Sequence, residues 1–185
     1  SVLAEMPTDQ ILSSVPELLK PYEAKPCYAG HSWEWDGVVF RLLSPPKQVQ
    51  WGENDGSCVL KIETKYGGVL LTGDISKRVE QQLIDEHKND NINLNSDVLV
   101  APHHGSKTSS SHGFIASVSA DSVIFSTGYL NRWHMPNKIV VARYKAANYK
   151  IYNTADDGMI EISILDKKLK IMSYRNDYWP FWMAN

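Results

Sequence analysis

The chain has 185 residues, enough for one domain of ordinary size with appendages and too few for two. With 43% apolar, 10% aromatic and 22% charged residues it can form a sizeable core, which excludes disorder and collagen-like structure, and no run approaches the roughly 18–20 apolar residues of a membrane-spanning helix, so a soluble domain is expected. The formal charge of −2 is unevenly placed: residues 1–130 carry ten Lys/Arg against sixteen Asp/Glu and residues 131–185 carry nine against five, a cationic C-terminal end that suits a polyanionic partner or is simply a solvated face. The first 35 residues read as a connecting segment with the tail of a helix (Val2–Met6), a short strand (Gln10–Ser14) and a loop. Cys27 and Cys58 form no CxxC or Cys/His run. They are expected to be free thiols, with a single bridge as the alternative in an oxidising compartment.

From Val38 onward, short β-rich runs alternate with helical stretches. Val38–Leu43 reads as a strand stopped by Ser44-Pro45-Pro46, since proline cannot continue a ladder. Cys58–Thr64 and Val69–Thr72 flank Tyr66-Gly67-Gly68 as an antiparallel hairpin. Ser76 is a natural N-cap for a helix to about His87 with Val79, Leu83 and Ile84 on one face. Val98–Ala101 is a short buried strand, Phe114, Ile115 and Val118 mark a helix, and Val123–Phe125 is another strand. Pro136 is expected to open a helix carrying Ile139, Val140, Arg143 and Tyr144. Strands at Lys150–Tyr152, Met159–Ile164 and Lys170–Tyr174 follow. The order predicts a layered α/β domain with a mixed sheet.

Polar residues follow the apolar strands at three places. Leu70-Leu71-Thr72 runs into Gly73-Asp74, and Val98–Ala101 into Pro102-His103-His104-Gly105-Ser106. Strand ends are where α/β sheets bind ligands, because the scaffold is rigid and the next loop approaches closely. A carboxylate oxygen beside an imidazole nitrogen suits zinc or manganese better than calcium. Gly-Asp alone is commonly a turn, but His-His-Gly-Ser at a strand exit has little packing use, so the pair together suggests a metal site. Past the histidines, Lys107, the hydroxyls of Ser106, Thr108 and Ser109, and amides of a helix start near Ser109 could hold a phosphate oxygen. The third exit is Asn131-Arg132-Trp133-His134-Met135-Pro136, where Asn131 and Arg132 could bind phosphate and His134 could protonate a leaving oxygen. His31, His87 and His112 have no such setting.

These exits resemble the metallo-β-lactamase-like domain at the C-terminal end of ComEC-type competence proteins, inner-membrane channels for DNA uptake. The matching phrases are Asn54 with Ser57-Cys58-Val59-Leu60, Leu70-Leu71-Thr72-Gly73-Asp74, Ala101-Pro102-His103-His104-Gly105-Ser106-Lys107-Thr108-Ser109, Asn131-Arg132-Trp133-His134-Met135-Pro136, and Tyr152-Asn153-Thr154 with Asp157-Gly158. They run from about Ala29 to Arg175. The resemblance implies an αββα hydrolase fold with a two-ion zinc or manganese site that cleaves phosphodiesters, single-stranded DNA being the expected substrate. In it Asp74 matches the carboxylate that bridges the metals, one of His103 and His104 matches a terminal histidine ligand, with the superfamily's His-before-Gly pattern favouring His104 and His103 as the alternative, and His134 matches a histidine near the site. The family's H-x-H-x-D-H-type cluster does not occur in these residues, so the chain is expected to be a partial metallo-β-lactamase-like domain, one unit over 1–185, from a longer membrane protein. On that reading two-ion catalysis by the chain alone is not expected. A non-catalytic DNA-guiding or assembly module, supported by the cationic C-terminal end and the aromatic tail 175–185, is the alternative, as is another phosphoester hydrolase of the superfamily.

Overall fold

The computed structural model describes residues 5, 8–49, 51–165 and 167–178. Two short strands, β1 (Leu12–Ser13) and β2 (Lys25–Pro26), pair in parallel around a 3-10 turn at Pro16–Tyr22. A seven-stranded sheet then runs β3 (Ser32–Trp35), β4 (Val38–Ser44), β5 (Val59–Thr64), β6 (Gly67–Leu71), β7 (Val98–Val100), β8 (Ser122–Phe125) and β9 (Lys150–Asn153), with spatial order equal to chain order. From β3 to β6 the pairs are antiparallel, and from β6 to β9 they are parallel. The parallel half needs crossovers, and these are α1 (Lys77–Lys88), α2 (His112–Val118) and α3 (Lys138–Ala146). A separate antiparallel hairpin, β10 (Ile160–Leu165) and β11 (Lys168–Ser173), closes the described chain with two single-turn helices around it.

The period-2 alternation of strands divides the apolar residues between two faces. Leu70, Leu99, Val123 and Phe125 point to the helices and meet Val79, Leu83, Phe114, Ile115, Val118, Val140 and Tyr144, all fully buried or nearly so. Each such side chain contributes roughly 1.5–3 kcal/mol by leaving water. Val98, Ile124 and Tyr152 point the other way, under Ile160, Ile162, Leu169 and Ile171 of the hairpin. Helix layer, mixed sheet and a second β layer are the expected α/β architecture.

Several expectations are refined. Ser32–Trp35, read as part of a connecting segment, is the edge strand of the main sheet. The helix expected to open at Pro136 starts at Lys138, because Asn137 is the cap and its Oδ1 accepts the Ile139 N–H at 3.1 Å. Helix α2 starts at His112 rather than near Ser109, capped by Ser111, whose Oγ accepts the Phe114 N–H at 3.2 Å. The expectation of free thiols is overturned: Cys27 and Cys58 form a disulfide. Backbone bonds from Ala29 to Pro45, Gly30 to Leu42 and Leu42 to His31 lay residues 27–31 along the end of β4. Since β4 pairs with the start of β5, the two Cα atoms lie 5.9 Å apart, within bridging range. A sequence separation of 31 hides that proximity. The helix tail at Val2–Met6, Glu5 apart, and the aromatic stretch from Trp179 lie outside the described residues.

Candidate metal centre

Because β6, β7 and β8 are adjacent and parallel, their C-terminal ends open on one edge of the sheet. Three loops leave that edge: 72–76, 101–111 and 126–137. The first two are tied together by backbone. Thr72 Oγ1 donates to the Val100 carbonyl at 2.8 Å, and the His103 N–H donates to the Gly73 carbonyl at 3.0 Å. Gly73 has φ +57, and a Cβ there would lie 2.7 Å from the Ser57 Cβ. Its missing side chain therefore lets the loop seat against Ser57, whose Oγ accepts the Asp74 N–H at 3.1 Å.

The second loop turns sharply. His103, His104 and Gly105 all take left-handed backbone, with φ 48, 53 and 80. At Gly105 a Cβ would stand 2.7 Å from the Phe125 ring and 2.8 Å from Pro136. The serines that follow are anchored from below. Glu80, buried on α1, accepts the N–H groups of Ser110 and Ser111. Arg143 donates to the Ser109 and Ser110 carbonyls at 3.1 and 2.9 Å, and the Tyr144 hydroxyl donates to Ser110 Oγ at 3.1 Å. Burial pushes the Glu80 carboxyl above its ordinary range, outweighing the two N–H donors and Lys77. It also pushes the Tyr144 hydroxyl up.

This anchorage holds His104 beside Asp74. His104 Nε2 lies 3.4 Å from Asp74 Oδ1, and the two side chains are 50% and 38% exposed, so an ion from solvent can reach both. The other ring nitrogen, Nδ1, is 2.7 Å from the Ser126 carbonyl. A carbonyl only accepts, so Nδ1 carries a proton, and Nε2 is the ring nitrogen that faces Asp74. His103 is placed differently: Asn54 Nδ2 stands 3.5 Å from its Nε2 and Thr108 Oγ1 3.4 Å from its Nδ1. Both nitrogens face neutral polar groups of the protein. One carboxylate and one imidazole are donors of the kind divalent metals take. Among the described residues no group of three or more His, Cys, Asp or Glu is gathered that could hold one.

The remaining sequence candidates divide. Ser106 Oγ is buried against Thr108 Oγ1 at 3.0 Å, and Ser109 Oγ donates to the Pro102 and Ser106 carbonyls. With the amides of Ser110 and Ser111 given to Glu80, the hydroxyls and amides that could have cradled a phosphate are largely spent on the loop itself. Lys107 is exposed. Asn131 is also spent internally: its amide donates to the Gly128 and Met135 carbonyls and accepts the Met135 N–H, at 3.0, 2.8 and 2.8 Å. Arg132 is exposed with its guanidinium 4.2 Å from the Trp133 ring centre. His134 is exposed, and no hydrogen bond or ion pair among the described residues joins it to Asp74, His103 or His104. Asn54, Ser57, Glu80 and the Ser126 carbonyl were given no role from sequence. Glu80 had a signal, an acid on the buried stripe of a helix. A backbone carbonyl has none.

A family model described as the metallo-β-lactamase superfamily matches residues 5–127. The chain belongs to that superfamily. Membership carries with it the binding of divalent metal in general. Recombination protein 2 of Haemophilus influenzae is 34% identical over 160 residues, 84% of this chain and 19% of that protein. Competence protein ComA of Neisseria gonorrhoeae is 33% identical over 162 residues, 88% of this chain and 23% of that protein. ComE operon protein 3 of Bacillus subtilis is 33% identical over 124 residues, 67% of this chain and 16% of that protein. The chain thus spans about a fifth of the length of these relatives. Among its described residues no helix is long and apolar enough to cross a membrane.

Proposed function

We propose that this superfamily domain is the hydrolase-like part of a membrane-associated competence protein, contributing to a metal-dependent phosphodiesterase that acts on single-stranded DNA during uptake. The observation that carries the reading is the 3.4 Å approach of His104 Nε2 to Asp74 Oδ1, with the other ring nitrogen anchored on the Ser126 carbonyl. Asp74 and His104 would hold a divalent ion such as zinc or manganese, and residues outside these 185 would supply its further ligands. When bound, such ions supply positive charge and Lewis acidity at the phosphodiester.

The chain's own residues do the rest. Ser57 and the Gly73 carbonyl fix the Asp74 and His103 backbones relative to each other. Lys107 and Arg132, both exposed near the strand exits, offset charge on phosphate oxygens. His134 passes a proton to the leaving oxygen. The Cys27–Cys58 disulfide supports a position on the oxidising side of the membrane. The channel portion of the same protein is the expected neighbour. The test is manganese- or zinc-dependent cleavage of single-stranded DNA by the whole protein. Asp74→Asn and His104→Ala should each lower the rate at least a hundredfold; undiminished cleavage by either would refute the assignment. Metal-independent DNA binding with no cleavage would favour a guiding module instead.

A further inference from the structure

The third loop at the site's edge presents apolar surface that metal chemistry does not need. Tyr129, Leu130 and Trp133 are 73%, 84% and 65% exposed. Exposed aromatic surface on a floppy loop would be unremarkable, but this loop is braced. The three Asn131 side-chain bonds, the His134 N–H to the Asn131 carbonyl at 3.1 Å and the Asn137 N–H to the Gly105 carbonyl at 3.0 Å hold it against the His-His loop. Between them lies a cleft of about 150 Å³ whose walls include His104, Thr127, Gly128, Trp133 and Met135. The proposed metal ligand is thus itself a wall of the cleft.

We propose that this cleft is a stacking subsite for one unpaired nucleobase adjacent to the phosphate held at Asp74 and His104. The inference rests on the proposed reading of that site. Three features choose the occupant. The cleft is well below the roughly 300 Å³ at which pockets for drug-sized ligands begin, so it takes one planar ring rather than a whole nucleotide or a peptide. Its walls are mostly apolar, with a thioether and an indole that suit a π-face. Arg132 lies over one face of the same indole, 4.2 Å from its centre, a cation close enough to meet the phosphate of a nucleotide whose base stacks at the cleft. Base–aromatic stacking is sequence-tolerant, so the subsite selects single strands without selecting sequence.

The test is a binding titration of the chain in the presence of a chelator, at one fixed low salt concentration. The probes are fluorescent oligo(dT) and an oligomer of the same length with abasic residues. The chain is expected to bind oligo(dT) about tenfold tighter than the abasic oligomer, as one stacked base predicts. Trp133→Ala should bind both with the abasic affinity, and Trp133→Phe should restore most of the difference. Trp133 is exposed, so unchanged melting temperatures of both variants are expected and show that the fold is retained. Retained preference in Trp133→Ala, no preference in the unsubstituted chain, or tighter binding of anionic lipid vesicles through Trp133 than of oligo(dT) would each overturn the proposal. Because no metal is present, this result is separable from the cleavage test: base preference with metal-independent or absent cleavage sinks the metal reading alone. Metal-dependent cleavage without base preference sinks the subsite alone.

Discussion

Loops 101–111 and 126–137 leave neighbouring parallel strands and face each other across the site, yet they are built by opposite means. The first is held from inside: Ser109 and Ser110 are fully buried, and Glu80, Arg143 and Tyr144 reach them from two helices. The second is held at its surface, by the side chain of Asn131 closing the loop on itself. The proposed metal donor His104 thus sits on the buried network, and Trp133 of the proposed stacking subsite on the exposed one. Damage to the first should therefore appear as lost stability and lost metal together, and damage to the second as lost recognition in a folded domain.

The sharpest way to break this contrast is Glu80→Ala, which leaves two N–H groups unsatisfied in the interior. It should cost about 3 kcal/mol in urea unfolding, and a loss below about 1 kcal/mol would mean that the network does not hold the loop. Gly105→Ala comes next. The left-handed backbone and the Phe125 ring at 2.7 Å predict a loss of roughly 2 kcal/mol by the same measurement. Asn131→Ala should lower stability by only about 1 kcal/mol, while weakening the oligo(dT) preference nearly as much as Trp133→Ala. Equal stability losses at Glu80 and Asn131 would erase the distinction.

The smallest effect is a pH slope. The Glu80 carboxyl binds its proton more readily in the folded state than at its ordinary value of 4.5. The stability this contributes is complete below that value and is lost as pH rises through the raised one. Unfolding midpoints between pH 4 and 8 should show this decline in the native chain and lack it in Glu80→Gln. An identical slope in both would assign it to another group.

The short apolar strands β5 to β8, the Ser76 cap and the three polar strand exits were legible in the sequence because each is a local pattern with a local cause. The meeting of Asp74 with an imidazole was also legible, since parallel neighbours must open on one edge. What sequence could not convey was long-range or backbone-borne. The Cys27–Cys58 bridge depends on residues 27–31 lying along β4. The Ser126 carbonyl that orients the His104 ring is a backbone group with no sequence signal. Ser106, Ser109 and Asn131 looked available for phosphate because their residue types suit it, but the left-handed turn through His103 and His104 folds the serines inward. Asn131 is similarly turned onto the backbone of its own loop.

The proposal that Asp74 and His104, not His103, are the paired metal donors is decided by zinc titration of this chain, followed through the imidazole nitrogen resonances. The His104 Nε2 resonance should shift first, the His103 resonances should stay in place, and Asp74→Asn should weaken the response at least tenfold. A first response at His103, or a His104 response indifferent to Asp74→Asn, would contradict it.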